Sequence, residues 1–245
     1  MTKVLVLSGD GMNCERESAR AFTDSGAKAD IVHVNEFLET PSQLLAYQVL
    51  CIPGGFSFGD ELRSGKILAE KLRRQVMPIF NEFTRKKGLT IGICNGFQVL
   101  IQLGVFGDNP AQREITLATN DHGTFLNQWV SLEVTGDAKS SPWFKDISGR
   151  LLMPMRHKEG RLVPKSAIDA TQFRFPLRYS KAVNGSFKQA AALLDSSGQI
   201  LGIMPHPEAA THSFLSALQD SEITAEANAK QVRKIFENAV EWSRS

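Results

Sequence analysis

Short apolar runs alternate with segments of helical periodicity in the amino-terminal part of the chain. Four runs are rich in Val, Ile and Leu, and they lie at Lys3–Leu7, Ile31–Val34, Gln48–Ile52 and Leu89–Ile93. Continuous apolar runs of this length with helices between them are typical of buried parallel strands. The pattern therefore predicts an α/β fold, with an open, mostly parallel sheet flanked by helices.

Two of the connecting segments are predicted to be helices. The segment Glu15–Ser25 is followed by Gly26, a residue type that commonly ends helices. A longer segment continues to Gly88, and Pro78 within it is expected to kink this helix or to split it in two. Its apolar positions recur at helical spacing, at Leu68, Leu72, Val76, Ile79, Phe80 and Phe83.

The pattern changes between Ile115 and Leu194, where shorter alternating segments are interrupted by Gly and Pro. This alternation predicts a mixed or antiparallel extension added to the parallel sheet. No linker-like stretch separates the two parts, so we expect a single domain over residues 1–245. A last parallel strand is predicted at Ile200–Met204, and a closing helix has an apolar face formed by Ala225, Ala229, Val232, Phe236 and Ala239.

Composition narrows the class of protein. The 245 residues are 42% hydrophobic and 22% charged with a net charge of +2, which excludes disordered, fibrous and disulfide-scaffold classes. The basic run Arg85–Lys87 is either a local nucleic-acid patch or a solvated helix end, and the totals favour the helix end. With no apolar run long enough to span a membrane, we expect a soluble, cytoplasmic protein with no nucleic-acid or membrane partner.

The cysteines Cys14, Cys51 and Cys94 have no metal-ligand spacing, so no metal site is predicted.

A cysteine lies where a predicted buried strand meets a predicted helix. Cys94 follows the strand Leu89–Ile93 and has Gly92 and Gly96 two residues away on each side. This is the nucleophile-elbow pattern with Cys in place of Ser, and a helix N-terminus favours the thiolate form. The alternative is that Cys94 is a small buried apolar residue, which is the commoner fate of a cysteine.

A base for this thiol is available after the last predicted strand. His206 is expected at the same carboxyl edge of the sheet as Cys94, and Glu208 can accept a hydrogen bond from one of its ring nitrogens. Taken alone, His206-Pro207-Glu208 is a weak signal, because most histidines are solvated or structural. Together with the elbow it predicts a Cys-His-Glu triad.

A glycine-rich loop, Pro53–Asp60, directly follows the strand that ends at Ile52. Such a loop can direct backbone N–H groups at an oxyanion. Phosphate binding and a plain turn are the alternatives, although the loop lacks the lysine of a P-loop. The early Gly9-Asp10-Gly11 lacks the continuation of a dinucleotide motif and is interpreted as a turn.

Several of these segments resemble one family of proteins. The elbow Cys94–Gln98, the loop Pro53–Asp60 and the segment Met204–Glu208 resemble those of the triad-type glutamine amidotransferases that form the glutaminase subunit of phosphoribosylformylglycinamidine synthase. Asn-Gly-Phe-Gln after the cysteine is specific to this branch. The resemblance covers nearly the whole chain, with further matches at Asn13–Glu15, His157–Arg161 and Asn184–Ser186.

The resemblance implies a flavodoxin-like class I amidotransferase fold and a role for each matched residue. Cys94 would attack the amide of L-glutamine and form a glutamyl thioester, His206 would transfer the proton to the departing ammonia, and Glu208 would orient His206.

The resemblance also implies roles around the triad. Gly55 and Asn95 would donate backbone N–H groups to the oxyanion, and Gln98 would help to hold glutamine. The ammonia would pass to a synthetase subunit, with a small accessory subunit in the same complex, for an ATP-dependent step of purine biosynthesis. No cofactor is expected in this chain, and ATP and Mg²⁺ would bind to the synthetase. The chain departs from the family pattern at Lys158 and Ala209, where Gly and Arg are usual.

Two other functions stay open at this point. One is a triad amidotransferase of another pathway or a related cysteine hydrolase. The other is a catalytically silent regulatory relative, against which the intact Cys94, His206 and Glu208 argue.

Overall fold

In the part of the chain that the structure describes, the fold consists of eleven strands and five α-helices, joined in part by short 3₁₀ turns. The computed structural model describes residues 1–60, 65–107, 114–165, 172–216 and 223–244. The strands are β1 (Lys3–Ser8), β2 (Lys28–His33), β3 (Val49–Ile52), β4 (Leu89–Ile93), β5 (Ile115–Thr119), β6 (Leu126–Val134), β7 (Arg150–His157), β8 (Glu159–Pro164), β9 (Leu177–Tyr179), β10 (Ala192–Leu194) and β11 (Ile200–Ile203). The helices are α1 (Glu15–Asp24), α2 (Val34–Glu39), α3 (Lys66–Arg85), α4 (Asn95–Leu103) and α5 (Ala225–Trp242).

The main sheet has six strands in the order β10-β11-β4-β3-β1-β2. Each neighbouring pair is parallel except β10 with β11, which is antiparallel. The predicted α/β class, with an open and mostly parallel sheet, is therefore confirmed. Because β1, β3, β4 and β11 point the same way, the loops that follow them meet at one edge of the sheet.

The central strands are buried on both faces, which explains their continuous apolar sequences. Every residue of β3, β4 and β11 is buried. Helices cover the two faces, and α1 is joined to α5 by an edge-to-face contact between Phe22 and Phe236, whose ring centroids are 5.0 Å apart. Among the described residues, no helix is long and apolar enough to cross a membrane.

Three details differ from the predictions. The apolar run predicted at Ile31–Val34 belongs to a strand that begins earlier, and Val34 opens helix α2 instead. Helix α3 continues through Pro78, so the expectation of a split is wrong. Pro78 and Arg74 are both exposed on α3, and Pro78 has no N–H to donate to the Arg74 carbonyl.

The extension predicted between Ile115 and Leu194 joins the main sheet only through β10. The other described strands of this segment form two separate antiparallel sheets, β5-β8 and β7-β6-β9. The reason is local pairing, because β6 is paired with β7 from Leu126↔His157 to Glu133↔Arg150. The edge of the main sheet beyond β11 is already occupied by β10.

The basic run Arg85–Lys87 lies at the carboxyl end of α3. Lys86 forms an ion pair with Glu82 at 2.7 Å, and both side chains are largely exposed. This environment is that of a solvated helix end.

Candidate active site

Cys94 lies at the turn between β4 and α4. Its backbone has φ 51° and ψ −104°, a conformation that L-residues rarely adopt. Helix α4 begins so close to the end of β3 that a Cβ on Gly96 would lie 1.8 Å from the carbonyl oxygen of Ile52. Strained backbone at this position is typical of a nucleophile elbow. The structure therefore places Cys94 as the sequence predicted.

His206 and Glu208 form a buried pair just after β11. Nδ1 of His206 lies 2.6 Å from Oε1 of Glu208, and the two side chains are 3% and 1% exposed. Burial alone would lower the pKa of His206, but the Glu208 carboxylate, followed by the interaction with Cys94, outweighs it and raises that pKa well above its ordinary value. A charged imidazolium is thus stabilised next to the thiol, which is the arrangement that activates a cysteine nucleophile.

Strand β7 forms hydrogen bonds with both His206 and Cys94. The backbone N–H of His206 donates to the carbonyl of Pro154 at 2.8 Å. The thiol of Cys94 donates to the carbonyl of Arg156 at 3.5 Å. The three-stranded antiparallel sheet therefore helps to position Cys94 and His206, although its strands lie outside the main sheet.

The loop that follows β3 lies against the loop that follows β1. The carbonyl of Gly54 accepts hydrogen bonds from the backbone N–H groups of Asn13 and Cys14, both at 3.3 Å, and the N–H of Phe56 donates to the carbonyl of Gly11 at 2.7 Å. Gly55 has φ +149°, and a Cβ there would lie 2.5 Å from the Gly11 carbonyl oxygen. This contact requires glycine at position 55 and fixes the Gly54–Gly55 peptide. The resemblance implies that the N–H of Gly55 in this peptide belongs to the oxyanion site.

Asn95 and Gln98 occupy the first turn of α4 and are both buried. The side-chain amide of Asn95 donates to Oε1 of Gln98 at 2.9 Å, and its oxygen accepts from the backbone N–H of Ser57 at 3.2 Å. The amide of Gln98 donates to the carbonyl of Glu159 at 2.5 Å. These contacts tie α4 to the glycine-rich loop and to β8, and the direct roles of both residues in glutamine binding stay predictions.

A second thiol lies beside His206, which the sequence did not indicate. Cys14 caps helix α1, and its sulfur, a ring nitrogen of His206 and a carboxylate oxygen of Glu208 all lie within 4.8 Å of one another. Burial is the main cause of a raised pKa of the Cys14 thiol; the hydrogen-bonding interaction with His206 acts in the opposite direction, and the negative charge of Glu208 adds to the rise. Glu15 and Glu17 in the first turn of α1 also disfavour a thiolate there, whereas the first turn of α4 carries no acidic residue.

His157 is the other residue that sequence reasoning did not single out as functional. It ends β7 and is 3% exposed, and neither ring nitrogen has a hydrogen-bond partner among the described residues. Burial, together with the positive charges of His206 and His122, lowers its pKa to about 3. His157 is therefore a neutral imidazole in the wall next to the triad.

Comparisons with known proteins agree with this geometry. A family model described as "CobB/CobQ-like glutamine amidotransferase domain" matches residues 1–243. A protein of Dehalococcoides mccartyi named "Phosphoribosylformylglycinamidine synthase subunit PurQ" is 34% identical, covering 99% of this chain and 98% of that one. A protein of the same name from Pyrococcus furiosus is 31% identical over the full length of both chains.

Solved structures give the same result at the level of the fold. A chain of the structure titled "Structure of PurLQS from Thermotoga maritima" superposes with a TM-score of 0.77 at 28% identity, covering 98% of both chains. A glutamine amidotransferase from the same organism superposes with a TM-score of 0.62 at 16% identity, covering 100% of this chain and 99% of that one.

Proposed function

The chain belongs to the CobB/CobQ-like glutamine amidotransferase family, in the branch of the PurQ subunits of phosphoribosylformylglycinamidine synthase, and from this premise we propose that it hydrolyses L-glutamine and supplies ammonia to a separate synthetase. The observation that carries the proposal is the buried His206–Glu208 pair beside Cys94 at a strained strand-to-helix turn. A thiol, a base and a carboxylate in this arrangement fit acyl transfer from an amide.

Cys94 is the nucleophile in this proposal. Its sulfur attacks the side-chain carbonyl of glutamine, and the C–N bond breaks to leave a glutamyl thioester. His206 gives its proton to the departing nitrogen and then accepts one from the water that hydrolyses the thioester. Glu208 holds Nδ1 of His206, which fixes the orientation of the ring.

The negative charge that develops on the substrate oxygen needs hydrogen-bond donors. We assign this role to the backbone N–H groups of Gly55 and Asn95. The Gly54 carbonyl points at the Asn13 and Cys14 amides, so the N–H of Gly55 points to the opposite side of that trans peptide. Asn95 is the first residue of α4, and the N–H groups at a helix N-terminus favour negative charge. Gln98, one turn further along α4, is assigned to holding the substrate.

The receiving partner is a synthetase that converts formylglycinamide ribonucleotide to formylglycinamidine ribonucleotide. The similarity to a chain of the PurLQS structure supports such a partner. We assign the ATP and Mg²⁺ sites to the synthetase, and we include a small accessory subunit in the complex. Free ammonia is largely protonated in neutral water and is then no longer nucleophilic, so direct transfer to a docked synthetase preserves its reactivity.

The test is reconstitution with a synthetase of this family. The turnover of glutamine is expected to rise at least about tenfold when the synthetase and its substrates are added, the size that a coupling free energy of ~1–3 kcal/mol gives. In the complex, Cys94→Ala should abolish glutamine-dependent synthesis and spare synthesis from ammonium salts.

A matched control is Cys51→Ala, which alters a buried thiol in β3 and should retain both activities. Full glutaminase activity in the isolated chain, unchanged by any synthetase, would contradict the proposal and favour a stand-alone hydrolase.

A further inference from the structure

One atom of the catalytic pair lacks the partner that buried polar atoms normally have. The second carboxylate oxygen of Glu208, Oε2, has no hydrogen-bond partner among the described residues. The side chains of both Glu208 and His206 are almost completely buried. A buried carboxylate oxygen without a partner is energetically costly and points to a ligand.

Cys14 adds a third donor atom to these two side chains. Its sulfur lies within 4.8 Å of one ring nitrogen of His206 and of one carboxylate oxygen of Glu208, which themselves lie within the same distance of each other. The thiol is presently engaged by Oδ1 of Asn13 at 3.3 Å, a weak hydrogen bond that a cation can replace. Unlike the other two side chains, Cys14 is only partly buried, so the cluster can be reached from solvent.

The space between these groups exists because residue 54 has no side chain. A Cβ on Gly54 would lie 2.8 Å from Cε1 of His206, 3.4 Å from the sulfur of Cys14 and 3.5 Å from Cβ of Cys94. The side chains of His206 and Cys14, together with Cβ of Cys94, therefore converge on the bare face of one glycine, and Glu208 is joined to them through Nδ1 of His206. The donor set of sulfur, imidazole nitrogen and carboxylate oxygen is the one that Zn²⁺ prefers in proteins.

We propose that Cys14, His206 and Glu208 form a binding site for a thiophilic divalent cation such as Zn²⁺, and that the bound cation inhibits the enzyme. Inhibition follows because His206 cannot carry a proton on a nitrogen that ligates a metal. Cys14 thus acts as an inhibitory metal ligand outside the catalytic cycle.

The cation is detected directly with Co²⁺, which substitutes for Zn²⁺ and gives sulfur-to-metal charge-transfer absorption when a cysteine ligates it. The purified full chain, freed of metal by chelation, is expected to bind one Co²⁺ with this absorption, and Zn²⁺ should displace it. Cys14→Ser should remove the absorption and weaken binding at least about tenfold. Cys51→Ala is the matched control, and its charge-transfer band should remain as in the unmodified chain.

Glutaminase assays supply the second measurement. Zn²⁺ should inhibit the unmodified chain and Cys51→Ala at the same concentration, a chelator should reverse the inhibition, and Cys14→Ser should need at least about tenfold more Zn²⁺. Circular dichroism of Cys14→Ser establishes that the variant is folded.

The proposal is overturned if no sulfur-to-cobalt band appears, or if the band and the Zn²⁺ sensitivity survive in folded Cys14→Ser, since the cation would then bind through Cys94 without Cys14. The Co²⁺ titration needs no glutamine. A chain that binds Co²⁺ through Cys14 but hydrolyses no glutamine would therefore refute the proposed function and leave the metal site standing.

Discussion

The neutral state of His157 predicts a specific loss of stability in mild acid. The pKa of this imidazole is about 3 in the folded protein, against 6.5 for an unperturbed histidine, because burial disfavours the charged form. Below about pH 6.5 the unfolded chain binds a proton that the folded chain excludes. The stability that the neutral imidazole of His157 contributes is therefore fully present above pH 6.5 and is lost progressively as the pH falls towards 3.

The size of this loss follows from the difference between the two pKa values. Each pH unit below 6.5 costs about 1.4 kcal/mol of unfolding free energy until the folded-state pKa is approached. Between about pH 7.5 and about pH 5, His157 should therefore cost about 2 kcal/mol. Other groups that titrate in this interval add their own effects, so the quantity to measure is a difference between variants.

The perturbation is His157→Gln, which keeps a polar side chain of similar length but cannot take up a proton. Urea unfolding near pH 7.5 and near pH 5 should show that the variant loses about 2 kcal/mol less than the unmodified chain over this interval. The control is Gly136→Ala, which changes no titratable group and whose Cβ meets no atom within 4 Å, so its loss over this interval should equal that of the unmodified chain. Equal losses in His157→Gln and the unmodified chain would refute a buried neutral imidazole at this position.

Three further predictions concern the elbow and the triad. A diazo-ketone analogue of glutamine should label Cys94 alone, and peptide mass mapping that finds the adduct on either other thiol, with Cys94 unmodified, would contradict its role as nucleophile. Cys94→Ala should abolish glutamine hydrolysis, whereas Glu208→Ala should leave measurable activity, because His206 still samples the productive orientation part of the time. Gly96→Ala should destabilise the fold by about 1–3 kcal/mol in urea unfolding, while Gly136→Ala, whose Cβ meets no atom within 4 Å, should be nearly neutral.

The parallel core was predictable because burial on both faces leaves a direct record in the sequence. The strand Leu89–Ile93 has the predicted ends, since all its positions are buried and Cys94 interrupts the run. The strand around Ile31 was less visible, because β2 is an edge strand with exposed and half-buried positions. The antiparallel sheets could not be placed from periodicity, because alternation shows that a strand has two different faces without identifying its partner.

The residues of the site likewise include some that the sequence predicts and some that it does not. Cys94, His206 and Glu208 were predictable because each follows a predicted strand whose carboxyl end lies at the site edge of the sheet. Cys14 follows β1 at that same edge, and its proximity to His206 depends on how the loop after β1 crosses to the loop after β3. His157 arrives from a strand outside the main sheet, so no rule about parallel sheets leads to it.

The contact between the loop after β1 and the loop after β3 connects the proposed metal site with the proposed oxyanion site. The backbone N–H of Cys14 helps to hold the Gly54 carbonyl, and that same peptide presents the N–H that we assign to the substrate oxyanion. A flip of the Gly54–Gly55 peptide would break two hydrogen bonds, from Asn13 and Cys14, at a cost of roughly 1–3 kcal/mol. A partner that turns the Gly55 N–H towards or away from the substrate must therefore move the loop after β1 as well as the glycine-rich loop. A cation bound by Cys14 and His206 would act on the same loop, because Cys14 lies at the end of the loop after β1.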